Sequence, residues 1–175
     1  MTTCPDFSPL RQRLWDHRFE HPEWGMDAVR RLVAEQGWTL NDAREAVEEY
    51  RKFCFLAVVC PHSVTPSHSV DVVWHTHLLY THDYWEVFCP RVLGRALHHG
   101  PGNGPEEDTH FRQQYALTLA AYHEHFGPPP VKWWPNDLVP PAPHEQWAWA
   151  PLHQVWIVRK PLWIQRLLRF LRQNP

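Results

Sequence analysis

At 175 residues and 43% apolar, the chain is long enough for one domain with its own core, short for two, and not a disordered polymer. A net charge of -2 with neutral histidines gives no basic excess, which argues against a nucleic-acid partner and against strong steering of acidic substrates. Cys4, Cys54, Cys60 and Cys89 lack Cys-x-x-Cys spacing, which excludes a zinc ribbon or a thioredoxin-type motif.

The opening residues carry neither a basic region nor an apolar run, so no secretory signal is expected. No apolar stretch reaches the roughly 18 residues of a membrane span. A reducing cytoplasm with free thiols is the expected setting.

Residues 1–8 read as a lead-in. Ser8 is placed to cap a first helix with Pro9 at its first position, and Leu10, Leu14 and Phe19 make its apolar stripe. His21-Pro22-Glu23 breaks it. A second helix is expected over about 24–36, with Met26, Val29, Leu32 and Val33 inward and Gly37 ending it.

Thr39 with Asp42 three residues on resembles a capping box. Behind it Leu40, Ala43, Val47, Tyr50, Cys54 and Ala57 recur at helical spacing. Arg44, Glu45, Glu48, Glu49, Arg51 and Lys52 occupy the opposite, solvated side. Phe53 to Cys60 is apolar all round, which predicts a buried end, and Pro61 stops the helix.

Thr65-Pro66-Ser67 marks a turn, after which a helix is expected to run to about Tyr80. Thr81 caps another over 82–93, with Tyr84, Trp85, Phe88 and Val92 inward. Pro90 predicts a kink or early end there, and Gly94 a C-terminal cap. Gly100, Gly102 and Gly104 make a connector beside His98 and His99, without the Gly-Lys-Ser/Thr of a phosphate loop.

Pro105 and the acids after it open a long helix with Phe111, Tyr115, Thr118, Tyr122 and Phe126 inward. His123 and His125 read as surface residues at its end. From 128 onward, Trp and Pro residues predict an extended segment lying over the core. A short amphipathic helix with a basic face closes the chain at about 161–173.

The chemistry concentrates between Val70 and His99, which holds five histidines and Asp71. On a helix, Asp71 and His75 stand four residues apart and can meet. His75 and His77 diverge by roughly 160°, so a regular helix cannot offer both to one metal ion. Asp71 either ligates beside His75 or fixes its tautomer, and His98 or His99 can supply a further nitrogen from the loop. Tyr84 and Cys89 on the next helix are within reach. Histidines with one carboxylate and an open position suit zinc or non-haem iron, with copper requiring three histidines.

Tyr50-Arg51-Lys52-Phe53, Val64-Thr65-Pro66, Val70-Asp71-Val72-Val73-Trp74-His75-Thr76-His77, Tyr84, Cys89, Gly94 and His98-His99 together resemble the domain of glycine-rich domain-containing proteins, over roughly Gly37 to Trp134. The resemblance implies an α-helical domain and no established reaction. Plant members carry a glycine-rich tail, and some have been linked to RNA-related or developmental roles. This sequence shows the Trp/Pro segment and basic helix in place of that tail.

The expected architecture is therefore all-α: one irregular bundle of about six helices in 1–130, then a Trp/Pro-rich segment and a final helix in 131–175. The expected function is a small, cytoplasmic, His-rich metal-binding protein, with a metal-dependent hydrolytic or oxidative enzyme as its active form. Asp71, His75 and Tyr84 are the catalytic candidates, and His75, His77, His98 and His99 the metal ligands. Zinc or iron is expected before copper, and the partner is a small molecule or peptide. The rival is a non-catalytic interaction module, in which the Asp/Trp/His cluster fixes helix packing and the Trp/Pro tail contacts a protein. Convergence of His75 with His98 or His99 in one cleft separates the two.

Overall fold

The computed structural model describes residues 6–100 and 108–136. The expected opening of the long helix at Pro105, the segment beyond 136 and the closing helix at 161–173 lie outside the described residues.

The fold is all-α apart from one small hairpin. Helix α1 spans Ser8–Asp16, α2 Ala28–Gln36, α3 Leu40–Val59, α4 His68–Leu78 and α5 Asp108–Phe126. A π-helix covers Asp83–Leu93. Strands β1 (Glu20–His21) and β2 (Met26–Asp27) pair antiparallel, Glu20 with Asp27 and His21 with Met26, around a 3-10 turn at Pro22–Trp24.

Helix α3 is the central element, with α1, α2, α4, α5 and the π-helix all packed against it. The Thr39 hydroxyl accepts the Asp42 N–H at 3.1 Å and starts it as the capping pattern predicts. Tyr50, Phe53, Cys54, Phe55 and Leu56 are buried on it. Leu40, expected inward, is 47% exposed, because the helix has only begun there.

Glu49 and Arg51, expected on the solvated side, are buried. The Glu49 carboxylate accepts hydrogen bonds from Tyr122 Oη at 2.7 Å, Trp134 Nε1 at 2.8 Å and Lys52 Nζ at 2.8 Å. Buried carboxylates persist when so satisfied. Arg51 lies over the Phe19 ring and donates to the Leu14 carbonyl.

Two other boundaries differ from the expected ones, whereas the end of α2 falls where expected. Ser8 does not cap α1; it is the first helical residue, and Asp6 Oδ1 accepts its N–H at 2.9 Å. Met26 belongs to the hairpin, so α2 starts at Ala28, capped by the Asp27 carboxylate on Arg30 N–H at 2.8 Å. Gly37 closes α2 in the left-handed region at φ 67°, where a side chain would be strained.

The segment over 83–93 does not end at Pro90 but runs on as a π-helix to Leu93. In an α-helix the proline ring would meet the carbonyl four residues back. The wider π winding, which bonds five residues back, moves that carbonyl away. Trp85, expected inward, is 42% exposed as the winding turns Asp83, Tyr84, Phe88, Cys89, Val92 and Leu93 to the core.

Trp133 and Trp134 are buried, so the first residues after α5 do pack on the core. No helix among the described residues is long and apolar enough to cross a membrane.

Candidate functional site

Ser67 Oγ accepts the Val70 N–H at 3.2 Å and so sets the first turn of α4. From there Asp71 and His75 lie one helical turn apart, His75 Nε2 standing 3.4 Å from Asp71 Oδ2. His99 returns to them from the chain beyond the π-helix. Its Nε2 is 2.9 Å from Asp71 Oδ1 and 3.0 Å from His75 Nε2.

Two nitrogens and a carboxylate thus converge on one point, at the edge of solvent: the side chains are 59% (His75), 32% (Asp71) and 20% (His99) exposed. Two imidazole nitrogens at hydrogen-bond distance need a proton or another cation between them.

The path that brings His99 back is built in the core. Trp74 Nε1 donates to Tyr84 Oη at 2.8 Å, and Tyr84 donates to the Leu97 carbonyl. The Trp74 indole also meets the His99 ring edge-on, centroids 4.6 Å apart. Tyr84 is fully buried, and burial raises its phenol pKa well above the usual value. Its place is behind the triad, anchoring the return of the chain. His98 turns away and packs on Trp85 at 5.3 Å.

His77 is fully buried on another side of α4 from His75, as the helical angle requires. Its Nε2 meets Asp83 Oδ2 at 2.8 Å, and its Nδ1 meets Tyr50 Oη at 3.0 Å. His17 Nε2 reaches the same Asp83 oxygen at 3.1 Å. His21 Nε2 lies 3.8 Å from Asp83 Oδ1.

Desolvation pushes the Asp83 pKa up, but the hydrogen bonds from His17 and His77 outweigh it and hold the carboxyl well below the usual range. Burial lowers the His77 pKa against the pull of Asp83. The expected ligands therefore separate: His75 joins His99, whereas His77 joins a second, buried cluster. Cys89 and Cys54 are buried, with thiol pKa values raised by desolvation.

His17, His21 and Asp83 were not among the residues expected at a site. His21 stands in the sequence as part of the break His21-Pro22-Glu23, and nothing in the helical spacing around His17 or Asp83 marks either as a site residue. Five residues separate His77 from Asp83 within the His-rich stretch, and that proximity was the available signal.

With both clusters in place, the chain can be set beside known proteins. The UCP032817-like family matches residues 16–124, well over half of the chain. The chain belongs to that family. This corrects the resemblance to glycine-rich domain-containing proteins, whose short motif is carried here by a UCP032817-like chain. The matched span takes in both Asp/His clusters. No curated protein and no solved structure matches significantly. Membership in the UCP032817-like family names no reaction.

Proposed function

We propose that this UCP032817-like protein is a cytoplasmic metal-binding protein whose working centre is Asp71, His75 and His99. The single observation that carries the reading is the convergence of their ligand atoms, within 3.4 Å of one another, at a half-exposed position. Two imidazoles and a carboxylate suit zinc or ferrous iron, and three protein ligands with solvent access leave a position for water or substrate. Bound zinc would lower the pKa of its water and favour hydrolysis, whereas iron would support an oxidative step.

A cavity of about 460 Å³ is lined by Trp74, Cys60, His62, Arg95 and His98, and so shares Trp74 with the packing around His99. It offers room for a small molecule or the end of a peptide beside the centre. Cys54, Cys60 and Cys89 are free thiols, in keeping with a reducing compartment.

Elemental analysis of the untagged protein tests the reading. The expected result is a zinc or iron equivalent that His98→Ala keeps and that His75→Ala/His99→Ala loses while its circular dichroism is unchanged. A double variant holding as much metal as the parent would overturn it. The triad would then be a structural network, and a protein partner the better search.

A further inference from the structure

We infer that His17, His21, His77 and Asp83 form a second metal site, a closed structural zinc centre that ties the N-terminal hairpin to α4 and the π-helix. It shares no residue with the Asp71 centre and stands on separate observations.

The first observation is where the atoms point. Asp83 is 1% exposed, and its charged neighbours among the described residues are imidazoles, at 2.8, 3.1 and 3.8 Å. Ligands held about 2.0–2.2 Å from a tetrahedral zinc stand roughly 3.3–3.6 Å apart, and the three separations to Asp83 bracket that range; the ligand atoms of His17, His77 and Asp83 all lie within 4.8 Å of one another, and His21 approaches this group from the Oδ1 side of Asp83. Asp83 Oδ1 is buried without a hydrogen bond, which is costly for a carboxylate and natural for a metal ligand.

The second observation is how the rings are held. His77 Nδ1 faces Tyr50 Oη at 3.0 Å, and His21 Nδ1 faces Glu23 Oε1 at 3.2 Å. In the tautomer that a metal requires, each contact would take the Nδ1 proton and leave an unprotonated Nε2 directed at the metal beside Asp83. Outer-shell partners of this kind commonly fix metal-ligating histidines.

The third is enclosure. Phe19 and Phe88 pack edge-on or tilted against both His17 and His77, with centroids 4.7 to 5.0 Å apart. Three protein donors inside an apolar wall, with His21 as a fourth at its rim, match a structural site, where a catalytic one keeps a position open.

The test is zinc stoichiometry and affinity, by chelator competition, on the full chain. The His75→Ala/His99→Ala variant should still bind one zinc, and that zinc should raise its melting temperature. Adding His21→Ala, at the rim of the cluster, should weaken the remaining zinc at least tenfold. Tyr50→Phe should weaken it by about 10–100-fold, as loss of an outer-shell partner does.

A His75→Ala/His99→Ala protein that binds no zinc and melts at the same temperature with or without it would overturn the inference. Asp83 would then be balanced by a proton on an imidazole. That result leaves the Asp71 centre standing. A parent that binds one zinc, kept in full by the double variant, would do the reverse: the buried site would hold and the Asp71 centre would fail.

Discussion

Asp71 and Asp83 each gather imidazole nitrogens, but they do so in different surroundings. Asp71 is a third exposed and meets His75 and His99 at the rim of the fold. Asp83 is closed off from water and meets His17, His21 and His77 beneath two phenylalanine rings. The same side-chain chemistry therefore has different consequences. Removing a group at the rim lets water replace it, whereas removing one in the core leaves the others stranded. The Asp83 cluster should carry stability, and the Asp71 cluster should carry ligand chemistry.

The sharpest way to break this contrast is Asp83→Ala. It takes the shared acceptor from His17 and His77 and should cost about 3–5 kcal/mol in urea denaturation. A loss below about 1 kcal/mol would show that the buried cluster does not hold the fold. Glu49→Ala is the control for a buried carboxylate outside both clusters. It removes the acceptor of Tyr122 and Trp134 and should cost about 2–3 kcal/mol by the same assay.

Tyr50→Phe deletes one buried hydrogen bond to His77 and should cost about 1 kcal/mol. His75→Ala should change the unfolding free energy by less than about 0.5 kcal/mol while abolishing metal binding at the rim. A large destabilisation there would make the two clusters alike and the contrast false. Lys132→Ala separates exposed contacts with Asp42 and Glu45, and its melting curve should overlay the parent's.

Much of the fold was legible because it is governed by local rules. Thr39 and Ser67 cap where short hydroxyl side chains should, and Gly37 and Gly94 close helices with positive φ. Asp71 and His75 were legible too, since four-residue spacing on a helix brings them together, and His99 was a candidate from its loop. What remained hidden depends on tertiary packing. Two-residue strands have no periodicity to read, so Met26 was assigned to a helix. Helical spacing put Glu49 on the wet side of α3, because it could not see Trp134 arriving to cover it. His17 and His21 reach Asp83 only after the hairpin folds under the π-helix, and nothing in their immediate sequence announces that meeting.

The covering of Glu49 also bears on the order in which the chain is made. On a ribosome, α3 emerges well before Tyr122 and Trp134, which supply two of the three hydrogen bonds to that carboxylate. Until they arrive, that side of α3 has to stay hydrated, because a bare carboxylate gains nothing from an apolar contact. Burying that side of α3, the longest helix among the described residues, should therefore be costly until the segment around Trp134 has been synthesised.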